Sequence, residues 1–195
     1  MAKGTYRWRV VDFVTAAVLG VAVGVIFVVW NQVGGALYET LKALLGGLGG
    51  LVAGIWYMGG PLGGLIIRKP GAAIFVETVA SLVSMAIGSQ WGVQTLIAGL
   101  TQGAMAELAF ALFRYKKFGP GVAALAGGLA ALGAMVWELP GDLAKTFQYR
   151  AIYWTSSIVS GVVLGGLLSW VLARALARTG VLDRFASGRE HAERV

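Results

Sequence analysis

Apolar residues occur in long runs separated by short polar segments, and this pattern predicts six membrane-spanning helices. Each run is close to the ~20 residues that a helix needs to cross a bilayer. The predicted helices cover residues 11–30, 48–67, 70–88, 92–113, 119–139 and 151–177, and residues 31–45 and 140–150 are predicted outer loops, the first partly helical. The predicted fold is therefore an all-α integral membrane bundle in a single domain, with a cytoplasmic tail over residues 178–195.

The composition agrees with a chain that is almost wholly embedded in lipid. Of its 195 residues 57% are hydrophobic and 13% are charged, whereas soluble domains carry about 25% charged residues. Thirteen of the sixteen Lys and Arg residues fall on one side of the predicted topology. The positive-inside rule then predicts that both termini are cytoplasmic, and it explains the net charge of +7 without a nucleic-acid partner.

Three polar side chains within the predicted helices are candidates for binding a ligand. Glu77 has no Lys or Arg at its depth, and an unpaired charge there costs at least ~2.5 kcal/mol, so it needs a helix–helix hydrogen bond, a proton or a ligand. Gln102 lies near the middle of the fourth helix and is expected to contact ligand. Glu107 is the third candidate, with a structural hydrogen bond, or a link to Arg114 or Lys116, as the alternative.

Three aromatic residues complete the candidate ligand-binding set. Trp56 and Tyr57 lie within the glycine-rich second helix, away from both predicted interfaces. Large rings beside many glycines are typical of the wall of a cavity. Trp137 lies near the outer end of the fifth helix, where anchoring at the membrane interface is the alternative to a ligand contact.

Small residues recur every four positions along the first helix, at Ala16, Gly20 and Gly24. Such a face lets another helix approach closely. Two alternatives are open at this point: the face packs within the bundle, or it meets a partner subunit.

The sequence lacks the motifs of several common catalytic and metal-binding sites. The sequence has no G-x-x-x-x-G-K-[ST] loop for ATP, no H-E-x-x-H motif for zinc and no G-x-S-x-G nucleophile elbow. It has no cysteine, and its single histidine, His191, lies in the polar tail. We therefore expect neither an enzyme nor a bound metal or cofactor.

Short motifs spread over most of the chain resemble one transporter family. They are Gly54-Ile55-Trp56, the segment 67–73 with Glu77 after it, Gln102-Gly103, Ala106-Glu107, Ser160-Gly161 and the segment 179–182. In their order and spacing they are similar to the S components of energy-coupling-factor (ECF) transporters, specifically the YkoE family of thiamin or hydroxymethylpyrimidine permease subunits.

The resemblance implies a subunit of the bacterial plasma membrane that captures a vitamin from outside and works with a T component and two cytoplasmic ATPases. It assigns Ala16, Gly20 and Gly24 to the contact with the T component. An aminopyrimidine suits paired hydrogen bonds from Glu77 or Gln102, and a thiazolium cation suits an aromatic face. The alternatives are an S component for another small vitamin, or a structural or assembly protein of the membrane.

Overall fold

The computed structural model describes residues 6–188, except for the side chain of Asp142, and within them it is helical without strands. The elements are α1 (Val10–Leu45), a 3₁₀ helix (Gly46–Tyr57), α2 (Gly59–Ile67), α3 (Ala72–Ile87), α4 (Gln94–Leu112), α5 (Pro120–Asp142), α6 (Phe147–Ser160), a π-helical segment (Gly161–Leu167) and α7 (Leu168–Arg178). The all-α prediction is confirmed.

Four continuous helical stretches are long and apolar enough to cross a bilayer, namely Val10–Ile67, Gln94–Leu112, Pro120–Gly141 and Phe147–Arg178, and Ala72–Ile87 is a shorter apolar helix. The first stretch reverses direction at Gly46, where φ is +62°. After this turn the 3₁₀ helix runs back along α1, and Trp30 Nε1 donates to Val52 O at 3.1 Å. Counted in this way the bundle has six passes, as predicted.

The first helix is longer than the sequence pattern indicated. We expected residues 31–45 to form a loop because of Gly34 and Gly35, but α1 continues to Leu45. A glycine costs a helix only about 1 kcal/mol relative to alanine. Gly34 leaves room for a ring, since a Cβ there would lie 2.2 Å from Trp30 Cε2. Packing thus outweighs the propensity of these two glycines.

The second predicted helix is a 3₁₀ helix followed by a short α-helix. Runs of 3₁₀ helix beyond three or four residues are uncommon, and this one is held by serines of α6. Ser160 Oγ accepts from Gly54 N at 2.9 Å and donates to Leu51 O at 2.6 Å, and Ser156 Oγ donates to Gly47 O at 3.0 Å. Because a 3₁₀ helix rises about 2.0 Å per residue, these twelve residues cover about 24 Å.

The ends of the last two passes also differ from the predicted bounds. The predicted loop 140–150 is shorter, because α5 continues to Asp142 and Thr146 caps α6 by accepting from Tyr149 N at 3.3 Å. The start of the predicted tail folds back under α2, where Ser187 Oγ donates to Ile66 O at 3.1 Å. Residues 189–195 of that tail, with His191, lie outside the described residues.

The basic segments that were predicted to be cytoplasmic lie together at one end of the bundle. Lys69 Nζ donates to Arg7 O at 2.8 Å and pairs with the buried carboxylate of Asp12. Tyr6 OH donates to Arg114 O at 3.0 Å, which joins the amino-terminal segment to the turn after α4. We call this end of the molecule the basic end; its cytoplasmic orientation stays a prediction.

Replacing Gly54 by Ala should destabilise the protein, because the new Cβ would lie 2.2 Å from Ser160 O. Overpacking of this kind costs about 1–3 kcal/mol, so thermal unfolding in detergent should shift to lower temperature. The matched control is Gly121→Ala, whose Cβ would meet no atom within 4 Å. Equal unfolding temperatures for the two variants would contradict the close contact between the 3₁₀ helix and α6.

Candidate ligand-binding cavity

A cavity lies between the helices at the end opposite the basic end. It holds about 720 Å³ of space, counting its open mouth. All six passes contribute to its lining, which consists of Phe27, Asn31, Tyr38, Ala53, Trp56, Tyr57, Ser81, Ser84, Trp91, Gln94, Thr95, Ala98, Gln102, Trp137, Glu138 and Tyr153. Seven of these sixteen residues are aromatic, six of them Tyr or Trp, and amide and hydroxyl groups lie between the rings. We call this site the aromatic cavity.

A hydrogen-bond chain fixes the orientation of one wall. Trp56 Nε1 donates to Asn31 Oδ1 at 2.9 Å, and Asn31 Nδ2 donates to Ser84 Oγ at 3.0 Å. The Trp56 ring also meets the Trp91 ring edge to face, with the centroids 5.2 Å apart. The 3₁₀ helix, α1 and α3 therefore hold the indole of Trp56 in one position.

Gln102 supplies an amide to the cavity from α4. Gln102 is 7% exposed. Its side chain forms no hydrogen bond with any of the residues that the structure describes. The backbone around it is fixed by α5, since a Cβ on Gly133 would lie 2.5 Å from Thr101 O and 2.9 Å from Gln102 Cα. The amide thus offers a donor and an acceptor that the surrounding helices do not use.

Glu77, which we predicted to bind ligand, lies outside this cavity. It is 0% exposed, and its Oε2 accepts from Gly60 N at 2.6 Å, in the first turn of α2. The carboxyl group satisfies one of the N–H groups that a helix start leaves without an intrahelical acceptor. Ser81, one turn further along α3, lines the cavity instead. One oxygen of Glu77 thus makes a helix–helix hydrogen bond, while its Oε1 has no hydrogen-bond partner among the described residues, and a ligand contact of Glu77 stays a prediction.

Glu107 also lies away from the cavity, near the basic end. Its carboxylate accepts from Gly71 N and Ala73 N, each at 2.8 Å, and from Tyr115 OH at 2.7 Å. It therefore caps the start of α3 from the neighbouring helix. Burial, and then the hydrogen bond to Glu107, raise the pKa of the Tyr115 phenol. The structural alternative for Glu107 matches this geometry, and no link to Arg114 or Lys116 is needed.

Within the chain the small face of α1 packs against α3, and its predicted contact with a T component stays a prediction. A Cβ on Gly20 would lie 2.7 Å from Val79 Cβ, and one on Gly24 would lie 2.6 Å from Val83 Cβ. Ala16 is buried as well. The face is therefore occupied by α3, because close packing of the two helices needs small side chains there.

Four of the predicted ligand-binding residues lie together in the structure, beside others that the sequence did not single out. Trp56, Tyr57, Gln102 and Trp137 line the same cavity. The residues that sequence reasoning did not select include Asn31, Tyr38, Trp91, Gln94, Glu138 and Tyr153. Asn31 is a polar residue at the end of an apolar run, which is a signal, but it falls within the predicted loop 31–45.

Known proteins resemble this chain over most of its length. A family model described as "ABC-type cobalt transport system, permease component" matches residues 11–133. The putative HMP/thiamine permease protein YkoE of Bacillus subtilis (strain 168) is 30% identical over 190 residues, which cover 94% of this chain and 92% of that protein. A solved structure described as an S-component of an ECF transporter matches with a TM-score of 0.89 and 29% identity, over 96% of this chain and 95% of that one.

Replacing Glu107 by Leu should destabilise the protein by about 2–4 kcal/mol, because at least two backbone N–H groups at the start of α3 lose their acceptor. Thermal unfolding in detergent measures the change. Glu39→Leu is the control, since Glu39 is an exposed residue whose ion pair with Lys42 lies at the surface. Unfolding of Glu107→Leu at the temperature of this control would contradict the capping role.

Proposed function

The chain belongs to the YkoE family of ECF-transporter S components, and on this basis we propose that it captures thiamin or its hydroxymethylpyrimidine precursor from outside the cell. It is a multi-pass membrane protein, and the proposed binding site is the aromatic cavity. Its proposed ligand contacts are Trp56, Tyr57, Gln102 and Trp137. Glu77 has an indirect role, because it holds the start of α2 directly after Trp56 and Tyr57.

The observation that carries this proposal is the unused amide of Gln102 in a cavity of aromatic rings. An aminopyrimidine presents an NH2 donor beside a ring-nitrogen acceptor. One amide can meet both with a pair of hydrogen bonds, since it has an oxygen acceptor and an NH2 donor in one plane. Such a ligand gives the amide of Gln102 hydrogen-bond partners that no described residue supplies, which favours binding.

The rest of the cavity suits the remainder of thiamin. A thiazolium ring carries a positive charge, and cations bind to the faces of Trp and Tyr. Tyr38, Trp56 and Trp91 form successive edge-to-face contacts along one wall. Glu138 at the cavity adds a carboxylate, so the site combines rings with one negative group.

The description of the matching family model raises cobalt as a second candidate substrate. Cobalt sites in proteins use groups such as imidazole, thiolate or carboxylate. Among the described residues no group of three or more His, Cys, Asp and Glu side chains is placed to hold a metal ion. The amides and rings of the cavity favour an organic ligand over a metal ion.

Transport would depend on partner subunits. The chain has no phosphate-binding loop for ATP, and membership of the S-component family supports partnership with a T component and ATPase subunits. We propose that their ATP hydrolysis drives release of the ligand on the cytoplasmic side. The contact of Ala16, Gly20 and Gly24 with the T component stays a prediction, and it would need the face that now packs against α3.

Replacing Gln102 by Leu should weaken the binding of thiamin or hydroxymethylpyrimidine by about 1–3 kcal/mol, or roughly 5- to 150-fold, because the paired hydrogen bonds are lost. Calorimetric titration of the purified protein with each compound, and with cobalt chloride, measures the affinities. Gln90→Leu is the matched control, since Gln90 is exposed and does not line the cavity. The proposal fails if cobalt binds and neither pyrimidine does, or if both variants keep full pyrimidine affinity.

The isolated chain should bind its ligand but should not concentrate it. Reconstituted alone in liposomes, it is expected to accumulate no labelled thiamin against a gradient, with or without ATP. Liposomes that also hold a T component and the two ATPases should show ATP-dependent uptake. Accumulation by the chain alone would rule out its assignment as a binding subunit without its own energy source.

A further inference from the structure

A second cavity opens at the basic end, between the start of α5 and α7, and four cationic side chains line it. They are Arg68, Lys116, Lys117 and Arg174. No Asp or Glu is among its lining residues in the part of the chain that the structure describes. We call it the basic cavity. Its position is far along the bundle from the aromatic cavity, so the proposed vitamin site does not account for it.

Three of these cations have no carboxylate partner among residues 6–188. Lys116, Lys117 and Arg174 form no ion pair there. Aromatic rings hold two of them beside the cavity: Lys117 Nζ lies 5.5 Å from the centre of the Phe113 ring, and Arg174 Cζ lies 4.8 Å from that of Trp170. A cluster of cations that repel one another and lack acidic partners favours binding of an anion.

The backbone adds to the positive potential. The cavity is lined by Gly121 and Val122, in the first turn of α5, and this helix start has no side-chain cap. Its first N–H groups have no intrahelical acceptor, and the helix dipole is positive at this end. This contribution is secondary to that of the three cationic side chains, and it has the same sign.

The remaining lining distinguishes a lipid from a free anion. Leu65, Ala173 and Ala177 form an apolar wall below the cationic rim, and the partly exposed ring of Trp170 lies beside it. Tryptophan is typical of the level at which a helix leaves the hydrocarbon of the bilayer. A charged rim over an apolar wall at that level matches an amphiphile with a negative head group, and basic pockets between transmembrane helices bind such lipids.

We propose that the basic cavity binds the phosphodiester head group of an anionic phospholipid, with Lys116, Lys117 and Arg174 as its ligands. An anionic lipid at this place would tie α5 to α7 and to the turn after α4.

Native mass spectrometry of the detergent-purified chain tests the proposal, with dioleoyl phosphatidylglycerol, tetraoleoyl cardiolipin and dioleoyl phosphatidylcholine as probes. The wild type should bind the two anionic lipids more tightly than phosphatidylcholine. The triple variant Lys116→Gln, Lys117→Gln, Arg174→Gln should bind them roughly tenfold or more weakly than the wild type, because each surface cation contributes to binding of an anionic lipid.

The control variant is Arg7→Gln, Arg150→Gln, Arg178→Gln, which removes the same charge from residues that do not line the cavity. It should keep the affinity for anionic lipid within about threefold, since its cations lie outside the site. Thermal unfolding should be similar for all three proteins because the replaced side chains are exposed, except for that of Arg150, which is partly exposed. Equal losses of affinity for anionic lipid in both variants would show that net charge alone causes the effect. That result would overturn the proposal.

Inorganic phosphate distinguishes the two sources of the anion. At 10 mM it should leave phosphatidylglycerol bound, because the free ion makes no contact with the apolar wall. Complete displacement by phosphate would assign the cavity to a soluble anion and overturn the lipid proposal. Loss of lipid on adding purified T component, instead of retention, would assign the cavity to the contact with that subunit and would likewise overturn the lipid proposal.

Discussion

The fold depends on close contact between the glycines of the 3₁₀ helix and the serines of α6. The serine hydroxyls satisfy backbone groups of the 3₁₀ helix, as at Gly54 and Ser160, and the absent Cβ atoms let the two backbones meet. In the bilayer core no water is present to hydrogen-bond the backbone of a distorted helix. The hydrogen bonds to its N–H and C=O groups must therefore come from neighbouring helices. They stabilise a conformation that is otherwise uncommon over twelve residues, and this conformation places Trp56 and Tyr57 at the aromatic cavity.

The breaks in the helices explain two of the buried acids, Glu77 and Glu107. A helix that begins inside the bundle exposes N–H groups that need acceptors. Glu77 supplies one at the start of α2 and Glu107 supplies them at the start of α3. The carboxylate of Glu107 and one oxygen of Glu77 therefore bond the scaffold, and the amide of Gln102 lines the cavity. Glu77 and Glu107 thus bond helix starts, whereas Gln102 and Glu138 line the cavity.

The bilayer made the helical passes predictable from sequence, since each needs an apolar run of a certain length. The apolar pattern does not show where helices break, and the contacts of some polar residues depend on those breaks. Glu77 was an isolated polar residue in an apolar run, and so was Gln102, but only the break before Gly60 creates the donor that Glu77 bonds. Sequence alone therefore selected both residues and could not separate them. Asn31 was missed for a related reason, because the glycines that follow it did not end α1.

Mass spectrometry of the small molecules that co-purify with the chain tests the proposed role of the aromatic cavity most directly. Denaturing the purified protein releases whatever it retained from its membrane. The proposed function predicts an aminopyrimidine, thiamin or its hydroxymethylpyrimidine precursor, in an amount close to that of the protein. Recovery of cobalt, or of an organic molecule without an aminopyrimidine ring, in that amount would contradict it.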